Sequence, residues 1–373
     1  MIYFLFIYRR YILAFMLICA LPALTFAVLA TFSGCRDLNV PNIIEGGAYI
    51  IVISYKLVIL LCTQQNVPEF HAFMQTLRED FKYACSEESK YRQRFFENQL
   101  QTWKFCILVA IAMSTIASGM VVAAILSLVY YLLTHDAESQ GQRPLLFPFW
   151  FFEADFSATP TYEICCCLFV CFFVFMIVIQ ILWIREIATK ADFVIWGIQD
   201  LMEGIYPATN KWEAGTFSAI IKYRMRTIIQ QHHSMYELTE NYSRVYKKLL
   251  MFEQTFCGPV ACLTAYSATL DEGEVNYVLI LLCVASIIVA YVPSYLCTFI
   301  RMKVSSVVDA CWGTPFWNAG PVIRPYLVLI IQRSLRPLPL SFGGFQEVSV
   351  QTFSNVRTKV ESSMYANIAI IKT

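Results

Sequence analysis

Long apolar runs without charge alternate with short polar stretches along this chain, and the length of the runs is the first informative quantity. Tyr11 to Cys35, Phe105 to Thr134, Ile164 to Ile184, Gln254 to Leu270 and Val275 to Ile300 are each near the roughly 20 residues that cross hydrocarbon as a helix. A sixth run, Pro41 to Cys62, contains Lys56, which lies within a few turns of one end and can extend its ammonium toward the headgroups. The pattern predicts a spanning helix in all six. Between them, Thr63 to Gln101 mixes acids and bases at helical spacing. His232, His233, Tyr236, Leu238 and Tyr242 lead with the same period into Leu250 to Phe256. Both stretches predict helices that continue out of the membrane. The segment His135 to Pro160 is rich in Pro and aromatics, which suits a compact lid or an interfacial aromatic belt. The last stretch, Glu347 to Ile371, carries Arg357, Lys359 and Glu361, so hydropathy alone rejects it as a span.

Composition agrees with this pattern. Of 373 residues, 58% are apolar and 15% charged, against about 25% charged in soluble domains. A net charge of +1 leaves no basic excess to attract nucleic acid, and that class of partner is dropped. The placement of the charges matters more than their sum, because cytoplasmic loops retain Lys and Arg. With the N-terminus inside, the inner segments hold Arg9 and Arg10, then Arg78, Lys82, Lys90, Arg92 and Arg94, then nine more between Arg185 and Lys248, then Arg301, Lys303, Arg324, Arg333 and Arg336. The outer segments hold only Arg36, Arg143 and Lys372. This asymmetry places the N-terminus in the cytoplasm. Arg9 and Arg10 could also open a signal peptide, but the apolar run continues past any small-residue cleavage point near Ala27.

Little in the sequence carries covalent or metal chemistry. Most of the 14 Cys lie inside spans, Cys19, Cys62, Cys106, Cys171, Cys262, Cys283 and Cys297 among them, where they act as small apolar residues. Adjacent side chains of Cys165, Cys166 and Cys167 point in different directions around a helix and so pack rather than ligate. His71, His135, His232 and His233 share no metal spacing, and there is no phosphate loop or nucleophile elbow. The expectation is a protein that is not an enzyme and needs no metal or cofactor. The sequon Asn241-Tyr242-Ser243 falls in an inner loop and stays unglycosylated if the orientation is right.

The C-terminal third carries a recognisable block. Arg333-Ser334-Leu335-Arg336-Pro337-Leu338-Pro339-Leu340, followed by Gly343-Gly344 and Val348-Ser349-Val350-Gln351-Thr352-Phe353, closely resembles the segment ahead of the last helix of insect odorant receptors. Ser362-Ser363-Met364-Tyr365 resembles that family's last helix, and Asp309-Ala310-Cys311-Trp312 resembles its preceding Tyr/Trp turn. Pro148-Phe149-Trp150 and Pro160-Thr161-Tyr162-Glu163 resemble its second outer loop and the start of its fourth helix. The resemblance implies an all-α membrane protein of seven transmembrane helices with the N-terminus cytoplasmic and the C-terminus extracellular. It further implies an odorant-gated, non-selective cation channel formed as a heterotetramer with the odorant receptor coreceptor (Orco). Such a channel mediates olfactory signal transduction in the plasma membrane of olfactory sensory neurons. Residues 1–300 would then hold six helices and the ligand pocket, 301–347 a cytoplasmic anchor, and 348–373 the pore-lining helix.

Physical reasoning adds detail to these expectations. A small volatile organic ligand needs a mainly apolar pocket with few polar anchors. The outer halves of helices two, three, four and six offer Tyr49, Val52, Ile53, Ser118, Val122, Phe169, Phe173 and Leu281 as contacts, with Tyr49 and Ser118 as hydrogen-bonding groups. In the last helix, Asn355, Lys359, Ser362 and Ala366 recur at helical spacing as a polar face, while Phe353, Val356, Val360 and Met364 point elsewhere. The family's apolar ring near the C-terminus falls on Ile368, the expected hydrophobic gate. Ile371 and Lys372 depart from the family's usual Gln and apolar residue, and a ring of Lys372 would repel a permeating cation. The run Tyr326, Leu327, Leu329, Ile330 and Ile331 is too short to span and suits a subunit contact or an internal helix core. Two alternatives are a gustatory receptor of the same superfamily and a G-protein-coupled receptor. The first lacks its Thr-Tyr and Gln-Phe pair here, and the second needs an outside N-terminus and lacks its Asp-Arg-Tyr motif.

Overall fold

Every described residue of the six apolar runs lies in a helix of the computed structural model, which describes residues 9–37, 40–86, 89–134, 161–203, 211–270, 277–314, 322–342, 346–355 and 358. In chain order these are α1 (Arg9–Arg36), α2 (Val40–Gln65), α3 (Val67–Ser86), α4 (Ser89–Thr134), α5 (Thr161–Gln199), α6 (Lys211–Leu270), α7 (Tyr277–Gly313) and α8 (Arg324–Ser334). Two short strands follow, β1 (Ser341–Phe342) and β2 (Gln346–Glu347), paired antiparallel with Ser341 opposite Glu347. Residues 350–355 are helical again. Residues 135–160, expected from sequence to form an outer lid or belt, and residues 359–373, with Ile368, Ile371 and Lys372, lie outside the described residues.

Among the described residues, Gly46–Gln65, Lys90–Ile116 and Leu279–Gly313 are long and apolar enough to cross a membrane, and Ala20–Arg36 is a shorter apolar helix. Several helices are far longer than a bilayer requires. At 60 residues α6 extends about 90 Å, against about 30 Å of hydrocarbon, so a large part of it stands beyond any membrane. This is the continuation that the spacing from His232 to Phe256 predicts. Pro22, Pro259 and Pro293 sit inside α1, α6 and α7 without ending them. Membrane helices tolerate such prolines. Beside Pro293, Gln254 of α6 donates to the Ala290 carbonyl at 3.2 Å and to Ser294 Oγ at 3.0 Å.

The packing is organised around α6, which contacts α2, α5 and α7, while α1 lies along α2 and α4 along α5 and α7. The main core gathers where α3, α5 and α6 meet. Phe73 stacks on Trp183 with ring centroids 4.5 Å apart and planes 3° from parallel, and Phe70 meets the same indole edge-on at 5.4 Å. Tyr246 and Tyr242 close the other side of Trp183. All five rings are buried. Polar side chains at this end are buried in pairs. Lys190 of α5 donates to Asp80 of α3 at 2.8 Å with both side chains at most 4% exposed, and Lys303 of α7 meets Asp192 of α5 at 2.6 Å, an acid that also accepts from Asn98 of α4.

α8 and the strand pair dock on the same end. His232 Nε2 of α6 lies 3.1 Å from Ser334 Oγ, Tyr236 donates to the Arg333 carbonyl, and the Arg333 guanidinium covers the Tyr236 ring at 4.4 Å. Arg301 of α7 donates to the Leu340 carbonyl and pairs with Glu347. The apolar run on α8 divides between two faces. Leu327 and Ile330 are buried in the chain's own core, Tyr326 and Ile331 are half-buried, and Val328 and Leu329 are exposed.

Candidate functional site

Where α2, α6 and α7 run together, the helices leave a narrow cleft with about 370 Å³ of empty space counted out to its open mouth. α2 lines it with Ile51, Val52 and Tyr55, α6 with Phe252, Cys257 and Val260, and α7 with Leu282, Ala285, Ser286 and Val289. The spacing is helical: Val52 and Tyr55 are three apart on α2, and Leu282, Ala285, Ser286 and Val289 follow one stripe of α7. Its surface is almost wholly carbon. The two hydroxyl-bearing residues on its wall use their protons elsewhere, Tyr55 donating to Glu253 Oε1 at 2.6 Å and Ser286 to the Leu282 carbonyl at 2.9 Å. Such a lining exposes no charged side chain and suits apolar contact rather than ion binding.

Of the ligand contacts expected from sequence, Val52 lines the cleft. Tyr49 and Ile53 are buried beside it on α2, in a cluster with Ala27 of α1, Val260 of α6 and Leu282 of α7. Leu281, half-buried on α7, turns the other way: a Cβ built on Gly119 of α4 would lie 3.2 Å from its Cδ1. Ser118 and Val122 flank that glycine on α4 and are exposed, with Ser118 Oγ donating to the Thr115 carbonyl at 3.0 Å. Phe169 and Phe173 lie on α5, and their side chains are outside the described residues, as are Ile368, Ile371 and Lys372 altogether. The structure thus joins Tyr49, Val52 and Ile53 along one seam, sets Leu281 against Gly119 of α4 in a neighbouring one, and leaves Ser118 and Val122 exposed on either side of that glycine.

The cleft residues from α6 and α7 were not singled out by the sequence. A span that is apolar around its whole circumference gives no sign of which stripe faces a cavity, so Val260, Ala285 and Val289 look like any other core position. Tyr55 and Ser286 had a weak signal as polar groups inside otherwise apolar runs.

The sequence matches the family model described as 7tm Odorant receptor over residues 47–358. No curated protein sequence matches the chain. In fold it is similar to the structure of the insect olfactory receptor OR5 from Machilis hrabei, at 12% identity and a TM-score of 0.73, with 96% of this chain and 88% of that one covered. It is similar also to that receptor in complex with eugenol, at 13% identity and a TM-score of 0.69, with the same coverage. The family match spans most of the chain, from within the second apolar helix to residue 358, and the family is one of receptors. This chain is therefore a multi-pass membrane protein that belongs to the 7tm odorant receptor family.

Proposed function

We propose that the protein is the odorant-tuning subunit of a ligand-gated, non-selective cation channel formed as a heterotetramer with the odorant receptor coreceptor (Orco). The observation that carries this reading is an apolar cleft among membrane helices in a chain of the odorant receptor family. The similar OR5 receptor has been solved with eugenol, a small odorant, which supports a ligand of that size here. The chain crosses the plasma membrane of olfactory sensory neurons seven times, with its N-terminus inside. The Lys and Arg asymmetry supports that orientation, and the polar face of residues 355–366 supports a pore-lining last helix.

The ligand occupies the α2–α7 seam, held in the cleft by Val52 and its neighbours. Tyr49, Ile53, Ser118, Val122, Phe169, Phe173 and Leu281 extend the site toward α4 and α5. Ile368 closes the pore, and Ile371 and Lys372 flank it. The exposed apolar face of α8, Val328 and Leu329, meets another subunit, because a side chain of that size left in water forfeits about 1.5–3 kcal/mol of burial.

Co-expression with the coreceptor in oocytes, followed by a panel of small volatile compounds, tests the reading. Odorant-evoked cation current is expected from the pair and not from the coreceptor alone. A pair that reaches the surface together, responds to a coreceptor agonist and ignores every odorant would overturn it. Glycosylation at Asn241 would overturn the orientation.

A further inference from the structure

Where α3 packs on α5, two acids and one cation are buried together. Glu186 and Lys190 are one turn apart on α5, so both side chains leave the same face of the helix, and Asp80 of α3 sits opposite them. All three residues are buried. Lys190 Nζ donates to Asp80 Oδ1 at 2.8 Å, and the Gln99 amide of α4 reaches Glu186 Oε2 at 3.4 Å. The remaining oxygen of each acid, Asp80 Oδ2 and Glu186 Oε1, is buried with no hydrogen-bond partner among the described residues that donates to it. Yet the two carboxyls lie within hydrogen-bonding reach of one another. An ionised carboxylate only accepts, so a hydrogen bond between two of them needs a proton.

We propose that Asp80 and Glu186 hold one proton between them, and that this proton fastens α3 to α5, so that the joint loosens as pH rises. The inference needs no ligand in the cleft; it takes from the proposed orientation only that the medium sensed is the cytosol. The proton lies on Glu186 Oε1 and is donated to Asp80 Oδ2, which satisfies both oxygens and leaves one carboxylate facing one ammonium. Its loss sets two carboxylates against a single Lys190 in a site closed to water. Neighbouring groups are committed elsewhere. Arg185 donates to Thr102 of α4 and lies over the Phe299 ring of α7, Lys303 of α7 is bonded to Asp192, and α6 brings the phenols of Tyr242 and Tyr246 against Trp183 one turn earlier. The joint matters beyond itself because α3 continues α2 through Asn66 alone. The Asn66 N–H and its side-chain amide both donate to the Cys62 carbonyl, and the Phe70 N–H donates to the Asn66 carbonyl. The foothold of α3 on α5 therefore sets where that end of α2 is held.

The unfolded chain releases the Glu186 proton near the usual 4.5, so above that pH the folded chain holds one proton more, and its stability falls with rising pH until the pair itself ionises. The test uses the full chain in lipid nanodiscs at fixed ionic strength. Glu186→Gln keeps the shape and supplies as a permanent N–H what the acid supplies as O–H. Its advantage in folding equilibrium over the unaltered chain, followed by melting temperature, is expected to widen by about tenfold per pH unit as pH rises from about 5 toward 7. Contributions from His232 and other distant groups cancel in that difference. Infrared difference spectra should show the carbonyl stretch of a protonated carboxyl at neutral pH, and Glu186→Gln should remove it. Asp80→Asn, which leaves Glu186 as the sole carboxyl beside Lys190, should remove the same band and the same pH dependence, so the test survives a failure of either variant to fold. An advantage that does not change with pH, or a band that survives both substitutions, overturns the inference. So does a stability that follows Na⁺ or K⁺ concentration in the unaltered chain and not in Glu186→Gln, which would put a metal ion where the proton is assigned.

Discussion

The end of the molecule built by α3, the C-terminal part of α5, the middle of α6 and α8 differs sharply from the seam where α1, α2, α6 and α7 meet. The first buries charge. Lys190 and Asp80 face one another with almost no exposure, Asp192 gathers Lys303 and Asn98, and five aromatic rings fix one another's angles around Trp183. The second is lined mainly by carbon, buries the one carboxyl of Glu253 behind the Tyr55 hydroxyl, brings α1 and α2 close at Gly46, and leaves a cleft. Ion pairs and stacked rings are satisfied in one geometry and are costly in any other, whereas aliphatic contacts can shift with small loss. A receptor in which a small ligand moves helices needs the second kind of packing where the ligand sits and the first where the motion is to be held in register.

The largest test of this contrast is Lys190→Met. The substitution leaves Asp80 buried with Glu186 nearby and no cation between them. Burial, and then a hydrogen bond with Asp80, hold the Glu186 carboxyl well above its usual range, and a second carboxyl cannot replace the lost cation. Removing one partner of such a pair costs about 3–5 kcal/mol, and a correspondingly large fall in melting temperature of the purified protein is expected. Replacing Asp80 by Leu in the same chain should recover most of the loss. A drop confined to a degree or two would place this end with the soft seam instead.

The docking of α8 is expected to depend on pH. Burial, and after it the nearby Arg333 and His233, push His232 down to about 4 from its usual 6.5. Above pH 6.5 both the folded and the unfolded segment hold a neutral imidazole, so the shift has no effect there. As pH falls below 6.5 the unfolded segment takes a proton that the folded one refuses, and stability declines until pH reaches about 4. At pH 5 the loss is about 2 kcal/mol. Hydrogen-exchange protection factors over residues 324–334, which are corrected for the slower intrinsic exchange at lower pH, should therefore fall between pH 7 and pH 5, and His232→Gln should remove that dependence.

Two adjacent glycines give a smaller and more local comparison. A Cβ on Gly46 would collide with Thr31 Oγ1 of α1 and lie 3.3 Å from the Thr31 Cα, whereas one on Gly47 would meet nothing within 4 Å. Thr31 cannot yield freely, since its hydroxyl donates to the Ala27 carbonyl at 2.8 Å. Overpacking costs about 1–3 kcal/mol and the gain in helix propensity returns up to about 1. Gly46→Ala should thus destabilise by about 1 kcal/mol, while Gly47→Ala should stabilise by about 0.5–1 kcal/mol. Equal melting temperatures for the two variants would mean that α1 does not rest on α2 at this point.

Much of this architecture was legible because apolar runs of bilayer length leave few choices. Every described residue of the six runs is helical, and the spacing around His232 and Tyr242 correctly carried α6 far beyond a span. The sequence of the apolar run on α8 suits a subunit contact or an internal core equally, and the structure divides it: Leu327 and Ile330 face inward, Val328 and Leu329 outward. The pairing of Lys190 with Asp80, 110 positions away, has no local signature, because neither residue differs from the solvated charges around it in sequence. The cleft was partly legible for a related reason. Val52 emerged from its place in the second helix, but Val260 and Val289 belong to runs where every face is apolar and only tertiary packing says which one meets a cavity.

The smallest expected effect on stability is the most informative about the site. Ser118 and Val122 are exposed on α4, where substitutions usually change stability by less than about 0.5 kcal/mol. Ser118→Ala and Val122→Ala should therefore express and assemble normally, and any change they cause is a change in ligand recognition. Val52→Ala removes two methyl groups from the cleft wall, and one methylene in an apolar pocket already alters affinity by about 1 kcal/mol or more. If the ligand lies wholly in the cleft, Val52→Ala reorders a panel of odorants and the two α4 variants leave the order intact. If it reaches the neighbouring seam, where Leu281 meets Gly119, the α4 variants reorder the panel as well, with the bulkier odorants affected first. Ranking the same panel on all three variants separates the two seams, and an order unchanged by Val52→Ala would move the ligand out of the cleft altogether.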